Sequence, residues 1–83
     1  MKKFETFDTM TELLEAADST NKLFVANIWS ETGVVGEAFL KGNNPKEAEH
    51  FLFEEGFFKG MDDEDTFRLW EIDPETGKWN SII

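Results

Sequence analysis

The residues with the clearest capacity for chemistry are carboxylates. Four of them run consecutively from Asp62 to Asp65, between bulky apolar residues on both sides. Such a run could bind a divalent cation, attract a cationic partner or form a solvated connection. The calcium loop of an EF-hand needs ligands at alternate positions. Asp63 and Asp65 have that spacing, but Phe67 occupies the next ligand position. The pattern therefore does not predict a metal site.

The single histidine, His50, lies in a segment with helical spacing, three residues after Glu47 and four residues before Glu54. That spacing lets the three side chains approach each other. A general base also needs a positioned partner and a substrate, so a surface histidine among carboxylates is the ordinary interpretation. The sequence has no cysteine, no phosphate-binding glycine motif and no nucleophile elbow. We therefore expect a non-enzymatic protein without a cofactor or a metal.

The charge balance is the strongest global signal in the sequence. Eighteen acidic residues against eight basic residues give a formal net charge of −10. Such a chain repels nucleic acid and anionic membranes, and it attracts basic protein surfaces. The same charge also keeps a small domain soluble, and this second interpretation stays open.

The acidic residues are concentrated between residues 46 and 65, where eight acids and two lysines give a net charge of −6. Carboxylates on one helix face recur every ~5.4 Å, and duplex DNA carries one charge per about 1.7 Å of its axis. A ridge of carboxylates can therefore occupy a basic groove in place of a phosphate backbone. We predict a partner-binding surface formed by Glu47, Glu54, Glu55, Asp62, Asp63, Glu64 and Asp65. Its partner would be a basic protein surface, such as that of a nucleic-acid enzyme.

The hydrophobic pattern predicts one α+β domain over residues 1–83. Thr9 and Glu12 have capping-box spacing at the start of a helix, and Asn44 with Pro45 starts a second helix that Gly56 ends. Segments rich in β-branched and aromatic residues predict strands at 22–30, 34–41, 66–73 and 78–83, with 3–7 as a short strand or an arm. The order (β)αββαββ places two helices on an antiparallel sheet of three to four strands.

The aromatic residues are expected mainly in the core, because nine Phe and three Trp are the chief apolar supply of a short chain. Phe57 and Phe58 are expected to pack under the end of the second helix. Trp29, near a hairpin end, and Trp79, in the last strand, are expected to be partly exposed, where they could anchor an interface. They support an alternative hypothesis, an accessory domain that forms a homodimer through a sheet edge or through these tryptophans.

The sequence favours a cytoplasmic location. No apolar run reaches the ~18 residues of a membrane helix, and the start, MKKFETFDTM, lacks the apolar segment of a signal peptide. The absence of cysteine fits a reducing compartment.

Residues 24–39, FVANIWSETGVVGEAF, resemble the opening strand-turn-strand of the ArdA antirestriction family. The family's first strand has an aromatic-V/I-A-N/S-L pattern, which residues 24–28 match, and Gly33, Gly36 and Phe39 match its turn and second strand. This chain differs in its preceding helix, its shorter turn and its single domain. The resemblance implies an acidic DNA mimic, carried by phage or mobile elements, that blocks the DNA groove of a restriction enzyme. It implies no catalytic residues.

Overall fold

The central strand, β2 (Lys22–Ser30), has two buried faces. Leu23 and Val25 point to one face, and Phe24 and Ala26 to the other, and all four are at most 1% exposed. Because successive strand residues point to opposite faces, both faces of the sheet need a cover. The computed structural model describes residues 4–83 and places one helix over each face.

The elements follow the chain in the predicted order. They are β1 (Glu5–Phe7), α1 (Met10–Glu15), β2, β3 (Gly33–Gly42), α2 (Pro45–Glu54), β4 (Thr66–Ile72) and β5 (Trp79–Ser81). The strands form one antiparallel sheet in the order β1-β3-β2-β4-β5. The α+β prediction is confirmed, and the predicted count of three to four strands is slightly low.

The additional strand is β1, which the sequence left open as a short strand or an arm. Thr6 pairs with Leu40 and Phe7 with Phe39 at one edge of the sheet. Phe4, just before β1, is 2% exposed and packs against Phe24 and Phe51, with ring centroids 6.1 and 5.1 Å away. Burial of Phe4 therefore holds this segment on the sheet. Residue 3, the first of the predicted segment, lies outside the described residues.

Each helix buries its own cluster against the sheet. Leu13 of α1 packs with Val25 and Phe39 on one face. On the other face, Ala48 and Leu52 of α2 pack with residues of β2, β3 and β4. Helix α1 has only six residues, so it covers one end of its face and leaves the other end open.

The predicted helix starts are present. The Thr9 hydroxyl accepts a hydrogen bond from the Glu12 N–H at 3.1 Å, and the Glu12 carboxylate accepts from the Asp8 N–H at 3.4 Å. At the second helix, the Asn44 side chain accepts from the Lys46 N–H at 3.1 Å. These bonds satisfy N–H groups that have no partner inside a helix.

Asp18 organises the connection between α1 and β2. Its carboxylate accepts from the backbone N–H groups of Thr20 and Asn21 at 2.9 and 2.8 Å, and from both of their side chains. The Lys41 ammonium lies 3.3 Å from the same carboxylate and donates to the Ala16 carbonyl. The hydrogen bonds from Thr20 and Asn21 lower the pKa of Asp18 below its ordinary value of 3.8.

We expect Gly42→Ala to destabilise the fold and Gly36→Ala to have little effect. A Cβ at Gly42 would lie 2.6 Å from Cε1 of the buried Phe4 ring, whereas a Cβ at Gly36 would make an ordinary 3.5 Å contact with Ile28. Neither glycine has a positive φ. Gly42→Ala should therefore cost about 1–3 kcal/mol through overpacking, and Gly36→Ala should change stability by less than about 1 kcal/mol. Urea unfolding measures both, and equal midpoints would contradict the packing assigned to Phe4.

The lowered pKa of Asp18 predicts a specific loss of stability in acid. The stabilisation is complete above the unfolded-state pKa near 3.8, and it is lost as the pH falls below that value towards the folded-state pKa. Asp18→Asn keeps an acceptor oxygen but cannot titrate. The unfolding midpoint of the native protein should therefore fall more steeply than that of the variant between pH 5 and pH 2. Parallel curves would show that Asp18 does not titrate differently in the folded state.

Candidate functional site

An open groove runs between α2, the segment that follows it and the start of β4. Lys46, Glu49, His50 and Phe53 form one wall. These residues have i, i+3, i+4 and i+7 spacing, which places them along one side of a helix. The neighbouring stripe, which includes Ala48 and Leu52, is buried on the sheet. Burial of that stripe fixes the rotation of α2 and thereby turns the first wall towards the groove.

The floor of the groove is aromatic. The Phe58 and Phe67 rings are edge to face, with centroids 4.8 Å apart, and Phe53 lies 6.4 Å from Phe58. Phe58 and Phe67 are half-buried and pack against the cluster under α2, so the prediction that Phe57 and Phe58 pack under the helix end agrees with the structure. Phe53 is different, because 68% of its surface is exposed. The groove therefore presents an apolar ring to solvent.

The chain reverses after α2 to form the second wall. Gly56 has a φ of +82°, and the Gly56 and Phe57 N–H groups donate to the Phe53 and Leu52 carbonyls at 3.1 and 3.0 Å. This is the Schellman pattern that ends many helices. It directs the following residues back along α2, where Met61 also contributes to the groove.

The acidic run is a defined turn. The Asp62 N–H donates to Oδ2 of Asp65 at 3.0 Å, and the Asp65 N–H donates to the Asp62 carbonyl at 3.0 Å. Asp65 is partly buried, whereas Asp62, Asp63 and Glu64 are exposed. One carboxylate of the run therefore holds the turn, and its neighbours face solvent.

The groove combines this turn with the helix wall. Its volume is about 650 Å³, which is within the usual range of ligand pockets. Among the described residues, the groove has four carboxylates (Glu49, Asp62, Asp63 and Asp65) and one lysine (Lys46), so these five side chains carry a formal charge of −3. The arrangement suits a cationic ligand that also offers apolar surface.

The structure brings together only part of the predicted acidic surface. Asp62, Asp63 and Asp65 line the groove, and Glu64 is exposed beside them. Glu54 does not line the groove, but its carboxylate lies 2.9 Å from Nε2 of His50, which does. The remaining two predicted residues, Glu47 and Glu55, do not line the groove.

The acidic pattern of the sequence predicts Asp62, Asp63 and Asp65, but it does not indicate Lys46, Glu49 or Phe53, which form the α2 side of the groove. Their i, i+3 and i+7 spacing places them on one face of the helix. Such a face becomes the wall of a groove only when a second segment of the chain lies beside it. The position of that segment depends on the turn at Gly56.

Trp29 and Trp79 form a second surface feature. They are 43% and 44% exposed, as the sequence predicts. Both lie on the α1 face of the sheet but at opposite ends of β4, since Trp29 pairs with Thr66 and Trp79 with Ile72. Nε1 of Trp29 donates to Oδ1 of the buried Asn27 at 2.8 Å, and the Trp79 ring lies 5.9 Å from that of Trp70. Each indole is thus held in place while part of it faces solvent.

Comparisons with protein-family models, with curated proteins and with solved structures found no match to the chain. Within residues 4–83, no group of three or more His, Cys, Asp or Glu side chains could hold a metal ion. No helix in this part of the chain combines the length and the apolar character needed to cross a bilayer.

Proposed function

We propose that the protein is a non-enzymatic binding domain that engages a basic protein surface through the groove between α2 and the acidic turn. The observation that carries this proposal is the convergence of four carboxylates from two separate segments on one groove with an aromatic floor. The net charge of −10 would speed association with a basic partner and make it sensitive to salt.

The basic partner that fits this charge is a nucleic-acid enzyme, and the domain would act as its antagonist. A groove in an enzyme that binds phosphates presents fixed cations, and carboxylates on α2 and the turn can occupy it. The resemblance of residues 24–39 to the ArdA antirestriction family supports the same role, a DNA mimic of phage or mobile-element type. The cytoplasm, where such enzymes act, is the location that we propose.

Charge reversal in the turn tests this proposal. Asp62→Lys, Asp63→Lys and Glu64→Lys together change three exposed residues and keep Asp65, which holds the turn. Capture of the partner from a lysate of the source cell, at low and high salt with identification by mass spectrometry, should fall by at least about tenfold. Duplex DNA should displace the partner from the native protein.

The matched control reverses three exposed acids away from the groove: Glu31→Lys, Glu37→Lys and Glu75→Lys. It changes the net charge by the same amount, so a local site predicts that it retains most of the capture. An equal loss in both triple variants would show that only total charge matters. Failure of the native protein to retain any nucleic-acid enzyme would refute the antagonist role.

Self-association is the second candidate function, and the exposure of Trp29 and Trp79 on one sheet face favours it. Large exposed aromatic residues are typical anchors of protein interfaces. In this case the domain would be an accessory protein that forms a homodimer, and its acids would serve solubility.

Light scattering across a concentration series separates the two functions. A homodimer built on the tryptophans should dissociate in the double variant Trp29→Ser, Trp79→Ser and should persist in the variant with three lysines in the acidic turn. A monomer at every concentration up to about 1 mM, a weak-affinity limit, would exclude self-association as the function.

A further inference from the structure

We propose that the groove binds a basic segment of its partner through one large apolar side chain, flanked by cations, that inserts over Phe53 and Phe58. This inference rests on the proposed function and adds the chemistry of the bound segment. It differs from mimicry of a phosphate backbone, because charge alone would not require an apolar contact.

The exposure of Phe53 is the first argument. Phe53 is 68% exposed, although Phe58 and Phe67 beside it are half-buried. Phe53 is continuous with Phe58 and Phe67, with ring centroids 6.4 and 4.8 Å apart along the series, and contiguous exposed apolar surface is typical of contact sites. Because Phe53 adds little to the core, its exposed face is available to a partner side chain.

The size of the groove is the second argument. A volume of about 650 Å³ accommodates a large side chain and the backbone on either side of it. The edge-to-face pair of Phe58 and Phe67 offers a further aromatic contact, and aromatic rings favour such edge-to-face or offset packing. Met61 beside them can adapt to the shape of the inserted group.

Charge complementarity is the third argument. It predicts that the bound segment of the partner has cations on both sides of its apolar residue. Glu49 comes from α2 and Asp62, Asp63 and Asp65 come from the turn, and these four carboxylates outnumber Lys46 on the α2 side of the groove. Cations on both sides of an apolar group would therefore meet carboxylates from both segments. Single-stranded nucleic acid also has apolar rings, but its phosphates would be repelled by the same carboxylates. The occupant is accordingly a protein segment.

Two labelled peptides test the inference by fluorescence polarisation in 50 mM salt. They are KRWRK and KRSRK, which have the same charge and differ only in the central side chain. The native protein should bind KRWRK roughly tenfold more tightly, as expected for burial of part of one aromatic side chain. Phe53→Ser should bring the affinity for KRWRK down to that for KRSRK, with little effect on KRSRK.

Val35→Ser is the matched control, since Val35 is 58% exposed on β3 and does not line the groove. It should leave both affinities unchanged. Circular dichroism would check that both variants are folded. Equal binding of the two peptides, no binding of either, or an equal effect of Phe53→Ser on both would overturn the inference.

The outcomes distinguish this inference from the proposed function. Equal binding of both peptides would leave capture of a basic protein by charge intact. Conversely, a tenfold preference for KRWRK that depends on Phe53, together with no nucleic-acid enzyme captured from the lysate, would refute the antagonist role and keep the groove as a peptide-binding site.

Discussion

The burial of both faces of β2 is the constraint on which the rest of the structure depends. A strand with apolar residues on both sides is stable only if a second layer covers each face. Helix α1 provides one layer and α2 the other. The chain must therefore cross from one face to the other between the two helices, and the β2–β3 hairpin lies on that path. Because α2 must press Ala48 and Leu52 onto the sheet, its acidic and aromatic sides are left to face solvent.

Local patterns were sufficient to predict most of this fold. The bounds of β2 follow from its run of β-branched and aromatic residues, and the start of α2 follows from the Asn44–Pro45 cap; both signals depend on neighbours in sequence. The edge strand β1 is harder to predict from the sequence, because a strand of three residues shows little periodicity. Its place in the sheet depends on Phe4, whose partners Phe24 and Phe51 are distant in the chain. Contacts of that kind leave no local signal.

The groove was only partly predictable for a related reason. The number of acids between residues 46 and 65 indicates a negative surface. A count of charges does not say which of these side chains point to the same part of the surface. Glu54 and Asp63 contribute equally to the count, yet Asp63 lines the groove itself, whereas Glu54 only contacts His50 at its wall. Phe53 gives no signal of exposure in the sequence, because phenylalanine is among the residues most often buried. Its exposure follows from the rotation of α2, which the buried stripe determines.

The hydrogen bonds within the acidic turn affect how readily the turn can bind a cationic ligand. Consecutive carboxylates repel each other, and the repulsion favours extended conformations over a tight turn. Here the Asp65 carboxylate offsets part of this cost by accepting the Asp62 N–H, and a backbone bond closes the same turn. The backbone positions of Asp62 and Asp63 are then set by the turn rather than by a partner. A cationic ligand would meet a site that is already ordered, so binding would not have to order the loop and would also relieve the repulsion.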